Sequence, residues 1–176
     1  GLTKFNKILT NEVLKRLVLG FLDKKINADV AKISSGKIGL LAQVPLKELI
    51  WDSNLAKVCI LCHIRNEKGH LRTDEALKLC LKIIDQNSED QKSNTKDGAV
   101  KAKIRMKLGD KNRWCRTFMC IAEVYFKLHV ESGGGGGDDA EQTAYLDDAL
   151  EYYEKSLDIL MAENGGVDTG TGPASC

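Results

Sequence analysis

Arg113 and Trp114 stand side by side at the end of the run Met106-Lys107-Leu108-Gly109-Asp110-Lys111-Asn112-Arg113-Trp114. A guanidinium grips a planar oxyanion through two parallel hydrogen bonds, which an ammonium group cannot do. The neighbouring indole N–H adds one more donor. A phosphoserine or phosphothreonine would suit such a pair, since it brings about −1.5 to −2 charges and three strong acceptor oxygens. The same spacing also fits a plainer arrangement. In that arrangement Arg113 is a surface cation and Trp114 a core aromatic, because Trp114 falls on an apolar seam.

Other residues that could do chemistry are less well placed for it. Cys59-Ile60-Leu61-Cys62-His63 copies the spacing of a haem-attachment run. Its apolar neighbours Val58, Ile60, Leu61 and Ile64 instead predict two buried thiols on a helix. No second ligand pair at close spacing follows, so no metal site is expected. His63, His70 and His129 lie on different segments without a nucleophile motif. Gly133 to Gly137 has no strand before it and no lysine after it, so it does not cradle phosphate. No catalytic constellation and no cofactor are expected. Lys101, Lys103, Arg105, Lys107, Lys111 and Arg116 form a basic tract with Arg113. The tract shows no aromatic interleaving for base stacking, which speaks against nucleic acid as a partner.

Composition sets the frame for these groups. The 176 residues carry 26 Lys and Arg against 25 Asp and Glu, a net charge of +1, so any anion site must be a local cluster. The apolar fraction of 43% and charged fraction of 29% are those of an ordinary globular protein. No apolar run approaches the roughly 20 residues needed to cross a bilayer. The first twenty residues alternate at helical spacing and do not read as a secretory signal. Reduced cysteines and a cytoplasmic location are the expectation.

The elements that must position Arg113 are helices. Thr10 is a candidate cap, with Glu12 in the first turn, and Leu14, Leu17, Val18 and Phe21 form one apolar face of a helix to about Ile33. Ser34, Ser35 and Gly36 interrupt it, and Pro45 argues against a regular helix before Trp51. A second helix is expected from Asp52 or Ser53 through Ile64, and a third after a Thr73 cap, from Asp74 to Asp85. Trp114, Phe118, Ile121, Tyr125 and Leu128 give the clearest seam, extending back through Leu108 and Ile104. Tyr145, Ala149, Tyr152, Ser156 and Ile159 line the last helix. The chain is predicted to be all-α, with antiparallel neighbours. It forms one helical domain over residues 1–162, with mobile loops near 86–98 and 132–138 and a flexible segment at 163–176.

The run from Met106 to Trp114 resembles the fifth helix of the 14-3-3 family, where Met-Lys-x-Gly-Asp-x-x-Arg-Tyr is usual. Leu9-Thr10-Asn11-Glu12 with Leu17 and Gly20-Phe21 resembles the third helix of that family. Leu81 to Asp85 is similar to the end of the fourth, and Ala149 to Ile159 to the sixth. The order holds from about Leu9 to Leu160. The resemblance implies an antiparallel helical bundle or array like the central helices of 14-3-3 proteins. It also implies a non-catalytic signalling adaptor that binds phosphorylated proteins or peptides, usually as a homodimer. The family holds one phosphate with a Lys and an Arg seven residues apart on the third helix and an Arg-Tyr pair on the fifth. Arg113 and Trp114 match the second pair, with Trp in place of Tyr. In strict register the first pair falls on Leu22 and Asp29, which cannot bind phosphate. Lys25 and Lys32, three residues later and also seven apart, are the replacements expected to complete the phosphopeptide-binding set. The helices that normally build the family's dimer contact and close its groove have no counterpart in these residues.

Asp148 to Leu157 is also similar to the second helix of a tetratricopeptide repeat, with Trp114, Cys120 and Ala122 on the helix before it. That family repeats with a period of about 34 residues, and here the glycine run intrudes. The alternative it implies is a helical scaffold that binds unphosphorylated protein partners.

Overall fold

Asn11 adopts an extended conformation, and its side-chain oxygen accepts hydrogen bonds from the backbone N–H groups of Val13 and Leu14. It therefore starts the first helix, satisfying donors that have no intrahelical partner. The cap lies one residue beyond the expected Thr10. The structure, a computed structural model, describes residues 10–87, 111–133 and 139–164. These form five helices: α1 (Glu12–Ser34), α2 (Leu40–Leu61), α3 (Thr73–Asn87), α4 (Lys111–Gly133) and α5 (Asp139–Asn164). The expected loops and tail, and the extension of the fourth seam through Ile104 and Leu108, fall outside the described residues apart from helix-end positions.

The face that α1 buries differs from the expected one. Leu14, Leu17 and Phe21 are exposed, Phe21 by 65%, and only Val18 packs against the core. The buried line is Lys15, Leu19, Leu22 and Asp29. These positions also repeat at four and three, with the half-buried Ile26 between. A hydropathy pattern misses the line because its two ends are charged. Both ends are satisfied: the Lys15 ammonium donates to the backbone oxygen of His63 and to Glu12, and Asp29 accepts from two lysines. Burying a charge is tolerated only with such partners.

Pro45 lies inside α2, which begins at Leu40 rather than at Asp52 or Ser53. Proline removes one backbone donor and crowds the carbonyl four residues earlier, here that of Leu41. The turns affected carry Leu40, Leu41 and Val44, all exposed. The helix is anchored further on by Trp51, Leu55, Val58 and Leu61 in the core.

Thr73 is buried and opens α3, but its hydroxyl donates to Glu131 of α4 at 2.7 Å. The expected cap is thus a tie between helices. Ala76, Cys80 and Ile83 form the buried face of α3. On α4 the expected seam holds: Trp114, Phe118, Ile121 and Leu128 are buried, and Tyr125 packs against them. On α5, Ala149, Ser156 and Ile159 are buried, with Tyr145 and Tyr152 packed on the core.

Each helix packs on the next in sequence, α2 also touches α4, and the closest pairing is between α4 and α5. Among the described residues no substantial contact joins α1 to α5, so these five helices form an open array rather than a closed ring. An aromatic column runs through it. The rings of Trp51 and Trp114 meet edge to face at 5.0 Å, and Trp114 lies 5.5 Å from Phe118. Phe118 is 5.9 Å from Tyr152, and Tyr152 stacks on Tyr125 at 5.8 Å. Such pairs add about 0.5–1.5 kcal/mol each beyond the area they bury. Ala122 on α4 and Ala149 on α5 are both fully buried.

Candidate functional site

Arg113 lies in the first turn of α4 and points across to α2. Its Nε and Nη2 donate to the two carboxylate oxygens of Asp52 at 3.1 and 3.2 Å. Its Nη1 lies 3.2 Å from an oxygen of Glu48, and Arg116 adds a contact to Asp52 at 3.4 Å. Glu48 and Asp52 are one helical turn apart on α2, which puts both on the face opposite Arg113. The guanidinium fork thus holds a planar oxyanion as its chemistry predicts, and that oxyanion belongs to the protein itself. The Arg113 side chain is 20% exposed, so the pairing is partly shielded from water.

Trp114 is 1% exposed and sits inside the aromatic column. It is a core residue, and an indole buried at this depth does not face a ligand in a groove. Of the two arrangements the sequence left open for Trp114, burial at this depth favours the core aromatic over a donor in the phosphate set. The period of the seam required it, since a residue spaced four and seven before Phe118 and Ile121 must share their face. Beside it, the Trp51 indole N–H donates to the Thr117 hydroxyl at 3.0 Å, and that hydroxyl donates to the Arg113 carbonyl at 2.7 Å.

Lys25 and Lys32 do come together, around Asp29. Their ammonium groups lie 2.9 and 3.4 Å from its two oxygens. Lys25 first, and then Lys32, hold the Asp29 carboxyl below its usual range, against the opposing effect of burial. Leu22, the other register position, is buried in the core. The expected residues therefore form two clusters, Lys25 and Lys32 on Asp29, and Arg113 on Asp52 and Glu48. The helices that carry them, α1 and α4, do not pack substantially on one another. Sequence reasoning missed Glu48 and Asp52. Their one-turn spacing was a visible signal, but the proline before them concealed the helix.

The Cys-x-x-Cys-His run ends α2. Cys62 is buried at the helix end, and burial pushes its thiol up to about 12. The Cys59 sulfur lies 3.9 Å from that of Cys120 on α4. The hydrogen bond between them favours ionisation of Cys59 and raises Cys120. His63 is tied through both ring nitrogens, Nδ1 to the Cys59 carbonyl at 2.8 Å and Nε2 to the Lys127 ammonium at 3.1 Å. Among the described residues no group of three or more His, Cys, Asp or Glu side chains could hold a metal ion. No helix among them is long and apolar enough to cross a membrane.

Two exposed stripes complete the surface. On α1, Val13, Leu17 and Phe21 are each about two-thirds exposed. On α5, Leu150, Tyr153, Leu157 and Leu160 are exposed at spacings of three, four and three. These stripes lie on the first and last helices of the array. Scans of protein-family models, of curated proteins and of solved structures found no match to this chain.

Proposed function

We propose that this chain is a non-catalytic helical scaffold of tetratricopeptide-like kind that binds a segment of a protein partner. The serial packing of the helices carries the reading. Each stacks on its neighbour, and α4 and α5 form the most extensive pairing, with Ala122 and Ala149 buried. In such stacks contacts run between sequence neighbours, and the outer faces stay open to further helices. The apolar stripes on α1 and α5 are of that kind. They bind by burial, and an exposed contiguous apolar face marks an interaction surface.

The competing reading, an adaptor for phosphorylated Ser/Thr segments that uses Arg113, Trp114, Lys25 and Lys32, rests on the resemblance in the Met106 to Trp114 run. It has less support from the geometry, because a phosphate would have to displace Asp52 and Glu48 from Arg113 and would find Trp114 buried.

Titrating matched phosphorylated and unphosphorylated peptide libraries against the wild type and Arg113→Lys separates the two. Saturable binding of unphosphorylated peptides, unchanged by Arg113→Lys, supports the scaffold. Binding confined to phosphorylated peptides and weakened about tenfold or more by Arg113→Lys would replace it, since lysine cannot reproduce the bidentate grip.

A further inference from the structure

Arg16, Arg65, Lys68 and Arg72 line a single cavity of about 450 Å³, together with Asn66 and Glu67. Arg16 comes from α1, and the rest from the turn that joins α2 to α3. None of these residues belongs to the Arg113 or Asp29 clusters.

The turn is a firm platform. Arg65 and Leu71 form an isolated antiparallel bridge. The Asn66 N–H donates to the His70 carbonyl at 2.8 Å, and the Arg72 N–H to the Ile64 carbonyl at 3.0 Å. The Asn66 side-chain oxygen accepts from the N–H groups of Lys68 and His70 at 2.9 and 3.0 Å. Gly69, at φ +83°, supplies the left-handed step that closes the loop. Ile64 and Thr73, each 1% exposed, fasten its two ends to the core. The cations are therefore presented on fixed backbone.

Their charge is only partly neutralised. Arg72 makes a two-pronged pair with Glu75 at 2.7 and 2.6 Å. Arg65 donates to the Gly69 carbonyl at 2.6 Å, and Arg16 to the Arg65 carbonyl at 3.3 Å. Those two guanidiniums are thus held in place by neutral carbonyls. Glu12 lies near them but pairs with Lys15. Four cations against Glu67 and Glu75 leave a surplus of two positive charges around the cavity.

We propose that this cavity is a binding site for phosphate groups, a phosphate monoester or a diphosphate. Guanidiniums on fixed backbone keep free N–H donors to offer a phosphate, and the forked geometry suits its oxygens better than a set of flexible ammonium groups would. Carbonyl-held guanidiniums lose little by gaining an anionic partner, unlike Arg113, which would have to release two carboxylates. The phosphate arrives either on a small molecule or on a phosphorylated side chain of a partner. The site stands whether or not the helices act as a peptide scaffold.

The test is titration of the full 176-residue chain with pyrophosphate, and separately with a phosphoserine peptide and its unphosphorylated form, followed by backbone amide NMR at low salt. Saturable shifts centred on residues 65–72 are expected from at least one phosphate-bearing probe. Arg65→Ala and Lys68→Glu should each weaken that binding about tenfold, the usual scale for losing a charged hydrogen bond. Lys37→Glu, an exposed charge change in the turn at the far end of α1, should leave it within about twofold, as screening expects. Tighter binding of pyrophosphate identifies a small-molecule source, and tighter binding of the phosphopeptide a protein-borne one. Absence of saturable shifts from both probes overturns the proposal. So does equal loss in Lys37→Glu, which would mean attraction to net charge only. The Lys68 ammonium makes no hydrogen bond or ion pair among the described residues, so its variant is informative even if Arg65→Ala is unstable.

Discussion

The α4–α5 hairpin and the α1 edge both carry apolar residues at helical spacing, but only the hairpin buries them. On α4 the periodic line is the buried line, because α5, α3 and α2 all press on it. On α1 the periodic line Leu14, Leu17 and Phe21 faces outward, and a line with Lys15 and Asp29 at its ends faces α2. Periodicity reports that a helix has an apolar face. The number and position of neighbours decide whether that face is the one covered. A helix covered from several sides has little choice, whereas an edge helix has one partner and can turn its apolar stripe away.

Trp114→Ala against Phe21→Ala is the widest test of this contrast. Removing the Trp114 ring from the centre of the aromatic column should cost about 3–5 kcal/mol in a denaturant titration. Phe21→Ala, at an exposed site, should stay within about 0.5 kcal/mol. Equal losses would mean that the α1 stripe is covered in solution and that the contrast is false. Next in size is Lys15→Ala, which leaves the His63 carbonyl without its donor and should lower stability by about 1–3 kcal/mol. Lys24→Ala, at an exposed position of the same helix, should change little. If the two are alike, Lys15 is not the inward residue of α1.

The pH dependence sharpens the comparison further. Burial pushes the Cys62 thiol up to about 12, above its value in the unfolded chain. The folded state therefore keeps a proton that the unfolded state releases, and stability should fall as pH rises from about 8.5 toward the folded value. Cys62→Ala should flatten that decline, measured by thermal melts across the alkaline range. A slope unchanged by the substitution would assign it to other groups, such as Tyr125, which burial also raises to about 12. The smallest effect belongs to Asp29 on the edge. Its depressed carboxyl contributes stability at neutral pH, and this is lost as pH falls through the depressed value. Asp29→Asn should remove less than about 1 kcal/mol at pH 7, since both lysines are exposed enough to be screened. The difference between wild type and variant should vanish in acid. A gap that persists there would point to packing.

How legible the molecule was varies by element. The α3, α4 and α5 helices, and the buried faces of α4 and α5, could be read directly, because their apolar positions recur at helical spacing. Only the part of α2 from about Asp52 onward could be, because Pro45 and the uncovered Leu40, Leu41 and Val44 make its first turns look like a loop when the anchoring by Trp51 and Leu55 is unseen. For the site, the sequence marked Arg113 as an oxyanion grip, and the geometry agrees with that chemistry. It could not name the oxyanion, since Glu48 and Asp52 stand more than sixty residues away in the chain. The basic cavity was hidden for the same reason. Arg16 meets Arg65 only when α1 and α2 run antiparallel.

From residue order alone came the helical class, the seam of α4, the buried face of α5 and the affinity of Arg113 for a planar anion. These follow from local periodicity and side-chain chemistry, which act within a few turns of one helix. Tertiary structure alone decided which side of α1 is inward, that Pro45 lies within a continuous α2, and which carboxylates occupy Arg113. Those outcomes depend on which distant segments meet, and a charge seeks its partner across space, where residue order carries no distance.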